Sequence, residues 1–184
     1  MTGCKVVCLH SAFGLTEGVL EFADLLRAEG CEVTTPDFYA GRSFDNVADG
    51  VAHRDEVGYR ELLARVAEAD VDGAVLIGFS LGASFAQRLA RPGVRLVALI
   101  GSLDPLPPEK LWCGVDVQLH QYADDPWVDD EDVPPFRLAV EGSGAMFEHF
   151  VTPGEGHLFT ERTQREYDRE LTELTVDRIV AHLS

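Results

Sequence analysis

The five residues Gly78-Phe79-Ser80-Leu81-Gly82 set a serine between two glycines, directly after an apolar run and directly before a helix-like one. A G-x-S-x-G turn of this kind suits a nucleophile. The tight strand-to-helix turn strains the serine backbone, and the glycines remove side chains that would collide with the neighbouring strand and helix. The hydroxyl is left exposed at the carboxyl edge of the sheet, and the helix that follows aims its positive end at charge developing on an attacked carbonyl. The purely structural alternative is a glycine-rich helix start in which Ser80 is an N-cap. A serine hydroxyl is a weak nucleophile, so the chemical reading requires a base within hydrogen-bond reach. The histidines are His10, His53, His120, His149, His157 and His182. His120 and His149 fall within strands, His182 on the last helix and His53 in an irregular segment. His157 stands in the loop Pro153-Gly154-Glu155-Gly156-His157 after the last strand, at the same sheet edge as Ser80. A carboxylate must hold that imidazole in the right tautomer, and Asp104, Asp124 and Asp125 all follow strands at this edge. Backbone N–H groups of Ala12, in the turn His10-Ser11-Ala12-Phe13-Gly14, and of Leu81 could converge on an oxyanion. The same turn fails the G-x-G-x-x-G pattern of a dinucleotide site, having only Gly14 and Gly18.

These residues need a scaffold that brings them to one edge, and the hydrophobic pattern supplies it. Short aliphatic runs alternate with longer amphipathic stretches, the pattern of a mostly parallel α/β sheet with helices on both faces. Six strands are expected: KVVCL from Lys5, CEVTTP from Cys31, GAVLIGF from Gly73, VRLVALI from Val94, DVQLHQY from Asp116 and MFEHFVT from Met146. Helices are expected from Thr16 to Glu29, from Asp55 to Ala69, from just after Ser80 to before Pro92, from Pro134 to Glu141, and from Thr163 to Leu183. Phe38 to Arg54 and Leu103 to Gly114 read as irregular. The second should be stiffened by Pro105, Pro107 and Pro108, and neither is long enough for a lid domain. The acidic run Asp129 to Asp132 reads as a solvated helix start and lacks the glycine and closing glutamate of an EF-hand loop. If the second strand lies outside the first, and the third on the first strand's other side, strand order reverses between the Ala12 and Ser80 turns. Ligand crevices of open parallel sheets form at such a reversal.

Composition narrows the partners. The 184 residues fit one domain and carry 15 Lys plus Arg against 32 Asp plus Glu, a formal charge of −17. Such a field repels phosphate backbones and anionic membrane faces, so neither nucleic acid nor membrane is expected as a partner, and Arg42, Arg54 or Arg162 would have to offset it for an anionic substrate. No apolar run reaches bilayer length and no signal peptide is recognisable at the start, which points to the cytoplasm. Cys4 and Cys8 share a strand face and read as core packing, with no second pair at ligand spacing; no metal or cofactor is expected.

Taken together, HSAFGLTEGVLEFADLLRAEG, PDFYAGR, GFSLGASFA, QLHQYADDPWV and PGEGHLF resemble the dienelactone hydrolase family of α/β-hydrolases over nearly the whole chain. The order Ser, Asp, His is the order of that superfamily. The resemblance implies a short α/β-hydrolase domain with a catalytic triad of Ser80, Asp125 and His157. Asp125 is favoured because the family aspartate is followed by a short hydrophobic turn, here Pro126-Trp127-Val128, with Asp124 as the fallback. It also implies hydrolysis of a small ester or lactone, and the chain is expected to act as a monomer or homodimer. The chain departs from the family in its serine where well-known members carry cysteine, in Ser11 where they carry glutamate, and in Glu161, beside Arg162, where they place an arginine. The family's N-terminal strands are missing, so the sheet should be trimmed and essentially all parallel. Rival readings are a non-catalytic ligand-binding protein on the same fold and a thioesterase, the latter disfavoured by the acidic surface.

Overall fold

The computed structural model describes residues 3–107 and 109–183, so the expectation for Pro108 lies outside the described residues. Elements run in the order β1 Lys5–Leu9, α1 Glu17–Ala28, β2 Glu32–Thr34, α2 Val47–Val57, α3 Tyr59–Val66, β3 Ala74–Phe79, α4 Leu81–Leu89, β4 Leu96–Ile100, β5 Asp116–Asp124, α5 Val133–Gly142, β6 Phe147–Glu155 and α6 Arg169–His182. The six strands form one sheet in the order β2-β1-β3-β4-β5-β6, and every pair is parallel. This is the all-parallel α/β sheet expected from the sequence, with its reversal between β1 and β3.

Alternation along the strands explains why two helical layers are needed. Val7, Leu9, Leu76, Val97, Leu99, Val117 and Leu119 point into one core, which Ala83 and Phe85 of α4 and Phe136 and Val140 of α5 fill. Their neighbours Val6, Cys8, Val75, Ile77, Leu96, Ala98 and Ile100 point into the other, against Phe22 and Leu26 of α1 and Val176 and Ile179 of α6. Every residue of β3 is buried, because it lies between β1 and β4 under both layers. Cys4 packs against the same core as Cys8, as their even spacing demands, and both thiols are free. Burial pushes the Cys8 thiol up to about 12.

Four stretches differ from the sequence expectation. The Phe38 to Arg54 segment holds most of α2, which Asn46 caps by accepting a 2.9 Å hydrogen bond from Asp49 N–H. Only Gly50 and His53 of α2 are buried, so it has no apolar stripe for the eye to find. The single helix expected over Asp55 to Ala69 is two, α2 and α3, parted at Gly58 with φ 92°. Helix α6 begins at Arg169 rather than near Thr163, because Asp168 accepts from Leu171 N–H and sets the start there. Strand β6 runs further than expected, through Pro153 to Glu155, which an edge strand tolerates.

Candidate active site

The Ser80 turn is strained as a nucleophile turn must be. Ser80 has φ 51° and ψ −109°, one of two non-glycine residues with positive φ among those described. What holds it there is close approach on both sides. A Cβ on Gly82 would lie 2.0 Å from the Leu9 carbonyl oxygen of β1, and one on Gly78 would lie 2.3 Å from the Gly82 carbonyl oxygen. Helix α4 therefore begins pressed against the sheet, and seven of its nine residues are buried.

Around this turn the strand ends deliver the other groups. His157 Nε2 lies 2.8 Å from Ser80 Oγ, and its Nδ1 lies 3.0 and 3.1 Å from the two carboxylate oxygens of Asp125. Because a carboxylate only accepts, Nδ1 carries the proton and Nε2 faces the serine as acceptor. The Asp125 side chain is fully buried and also accepts from Trp127 N–H at 2.9 Å, which fixes its plane. Asp124 is exposed at the end of β5 and is not in reach of the imidazole by any hydrogen bond among the described residues. Asp104 lines the same cleft but is hydrogen-bonded to other groups: it accepts from Ser84 Oγ at 2.5 Å and pairs with Arg88.

On the other side of Ser80 lies the turn after β1. Phe13 N–H donates to Ser11 Oγ and Gly14 N–H to the Ser11 carbonyl, while neither Ala12 N–H nor Leu81 N–H finds an acceptor among the described residues. Two unpaired amides facing one cleft can bind an oxyanion. His10 Nδ1 donates to the Ser11 carbonyl at 2.8 Å, and that carbonyl shares its peptide plane with the Ala12 N–H. The His10 ring is itself clamped on Phe38, with centroids 3.5 Å apart. Burial drives its pKa down to about 4, so it stays neutral and keeps this orientation at neutral pH. Helix α2 braces the same turn from outside, since Gly50 passes so near that a Cβ would lie 2.0 Å from the Ala12 carbonyl oxygen.

The remaining histidines are accounted for. His53 is buried beside Arg42, with 3.2 Å between Nδ1 and the guanidinium. His120 stacks on Phe150, and burial pushes it down to about 3. His149 bonds Gln121, and His182 lies between Asp116 and Glu148. Of the three arginines considered for the site, only Arg54 lines the cleft; Arg162 pairs with Glu21 away from it. Glu161 turns inward, where Thr16, the cap of α1, donates to it at 2.6 Å, and burial raises its carboxyl above the usual range.

The cleft over Ser80 has a volume of about 360 Å³ and is walled by Ser11, Ala12, Val47, Val51, Tyr59, Ser84, Arg88, Trp127 and Leu158, among others. Sequence reasoning did not reach Tyr59, Ser84, Arg88 or Trp127. Ser84 and Arg88 stand one and two turns after Ser80 on α4, a spacing that a helical projection would have offered. Trp127, 56% exposed, tilts over His157 with ring centroids 5.7 Å apart.

No curated protein sequence matches the chain. Solved structures do match its fold. The protein m3DLH is 22% identical, with a TM-score of 0.78 over 100% of this chain and 87% of its own. A dienelactone hydrolase-like promiscuous phosphotriesterase, P91, from metagenomic libraries is 19% identical, with a TM-score of 0.80 over 98% and 86%. A phospholipase/carboxylesterase from Dyadobacter fermentans DSM 18053 is 17% identical, with a TM-score of 0.61 over 96% and 90%. The sequence profile of the dienelactone hydrolase family spans residues 3–184. With a match of that extent on a parallel sheet whose edge gathers Ser80, Asp125 and His157, the chain belongs to the dienelactone hydrolase family and is a hydrolase acting on ester bonds.

Proposed function

We propose that the protein is a serine hydrolase that cleaves a small ester or lactone through an acyl-enzyme intermediate, with Ser80, His157 and Asp125 as its triad. The observation that carries this reading is the continuous hydrogen-bonded path from Ser80 Oγ through both nitrogens of His157 to buried Asp125. Ser80 Oγ attacks the carbonyl while His157 Nε2 takes its proton, and Asp125 stabilises the imidazolium that results. The oxyanion is held by the N–H groups of Ala12 and Leu81. His157 then returns the proton to the departing alcohol; water, deprotonated by the same nitrogen, attacks the acyl-serine, and the imidazolium gives that proton to Ser80 Oγ as the bond to the acyl group breaks and the acid leaves. Every proton is conserved by one imidazole, and the cycle calls on no metal or cofactor.

The cleft volume falls at the lower end of small-molecule sites, which favours a compact substrate. The charge of −17 opposes docking of an acidic acyl carrier and of nucleic acid, and favours free substrate over either. The test is turnover of a panel of p-nitrophenyl esters and lactones together with labelling by a fluorophosphonate probe. Both should be present in the wild type and absent in Ser80→Ala. A wild type inert to both, or an intact small molecule carried through purification in the cleft without hydrolysis, would favour the ligand-binding reading instead.

A further inference from the structure

The cleft contains a polar device that the triad does not use. Arg88 Nε donates to Tyr59 Oη at 2.7 Å, Tyr59 Oη and Ser84 Oγ lie 2.6 Å apart, and Ser84 Oγ donates to Asp104 Oδ2 at 2.5 Å. Arg88 Nη2 closes the circuit on the same Oδ2 at 3.4 Å. Since Ser84 spends its one proton on Asp104, Tyr59 must donate to Ser84, and the direction of every bond is fixed. Asp104 cannot drift, because its N–H and carbonyl are both bonded to the side chain of Gln87 at 2.8 and 2.9 Å. Ser84 and Arg88 stand four and eight residues after Ser80 on one face of α4, so the ring lies along the cleft as it leads away from the nucleophile, about 6 to 12 Å along the helix axis.

We propose that the ring of Tyr59, Ser84, Arg88 and Asp104 determines specificity, by receiving the neutral hydroxyl-bearing or amide-bearing end of the ester's acyl chain. The proposal rests on the esterase reading above and deepens it. Both hydroxyl protons are consumed inside the ring, so what the wall leaves for a ligand is Arg88 Nη1 as donor and Asp104 Oδ1 as acceptor, the atoms of the ion pair outside the circuit, on two residues that both line the cleft. A hydroxyl or carboxamide satisfies both at once. A carboxylate would meet the charge of Asp104, and an ammonium that of Arg88. The second arginine of the cleft is balanced likewise, since Arg54 Nε and Nη2 both donate to Asp55 Oδ1 at 2.9 and 2.8 Å. A cleft whose cations are each paired selects for hydrogen bonding rather than for charge.

The experiment compares p-nitrophenyl esters of hexanoic, 6-hydroxyhexanoic, adipic and 6-aminohexanoic acids, with Ser80→Ala as background. In the wild type kcat/KM for the hydroxy ester should exceed that for the adipate and amino esters by on the order of 10-fold, chiefly through KM. Asp104→Asn keeps the shape of the wall but leaves Arg88 unbalanced, so the adipate monoester should gain on the order of 10-fold, an increase that a damaged fold cannot mimic. Arg88→Met should bring the hydroxy ester down towards the plain hexanoate. If Ser80-dependent hydrolysis treats all four esters alike, or if Asp104→Asn leaves their ranking as in the wild type, the ring has no such role. Absence of Ser80-dependent hydrolysis for every ester would instead overturn the esterase reading beneath it.

Discussion

Two adjacent aspartates, Asp124 and Asp125, offered themselves to the histidine, and one residue of chain length separates their fates. The first ends β5 exposed, while the second is buried against His157 and held by Trp127 N–H. Asp125→Asn should therefore lower kcat by roughly 10²- to 10⁴-fold, by favouring the wrong imidazole tautomer, while Asp124→Asn should stay within about 2-fold of the wild type; steady-state kinetics on one aryl ester decides it. His10→Phe keeps the stacking surface on Phe38 but frees the Ser11–Ala12 peptide. It should reduce kcat by about 10-fold with little change in KM, the signature of a lost oxyanion donor rather than lost binding. Ser80 and His157 were legible because a serine between glycines and a lone loop histidine stand at strand ends, whereas the carboxylate had to be chosen among several aspartates at the same edge. Trp127 and Tyr59 were not legible as cleft walls, because nothing in their local sequence differs from a surface aromatic until the chain is folded, while Arg88 was open to a helical projection from Ser80.

Strands and helices were legible to the degree that their apolar residues repeat. All six strands were foreseen, since burial on both faces leaves uninterrupted runs such as AVLIGF, and α1 declared itself by Thr16 at its start and Gly30 beyond its end. Helix α2 was missed because only Gly50 and His53 among its residues are buried, which leaves no apolar stripe. That small buried face nonetheless braces the Ala12 turn. Gly50→Ala would drive a methyl group onto the Ala12 carbonyl, and α2 can escape only by moving away from the cleft it helps to wall. The expected result is a fall in kcat of roughly 10-fold or more with a small loss of stability, seen by pairing kinetics with urea denaturation. By contrast Thr16→Ala removes the cap of α1 and the hydroxyl bonded to buried Glu161, and should cost about 1 kcal/mol in the same denaturation experiment.

At the scale of the molecule, acid is the condition to which this fold is most exposed. His10 and His120 are held neutral by burial, down to about 4 and about 3, whereas in the unfolded chain they protonate near 6.5. Below 6.5 the unfolded state binds more protons, so stability is full above that pH and is lost progressively as pH falls towards 4. Glu161 acts with the opposite sign, its raised pKa favouring the folded state on the acid side, but one carboxyl opposes three imidazoles, since burial lowers His149 as well. The urea midpoint should drop between pH 7 and pH 5, and His120→Gln should flatten that drop. Among the described residues no helix is long and apolar enough to cross a membrane. The contact of Gly82 with the Leu9 carbonyl carries a consequence for how the protein comes to life. Ser80 acquires its backbone shape only when the first strand of the chain is seated beneath the helix that follows the third, so, with Ser80 as the proposed nucleophile, its covalent capture doubles as a clock for folding. Timed probe labelling during refolding from urea should rise with the slowest step that restores the native sheet, and never ahead of it.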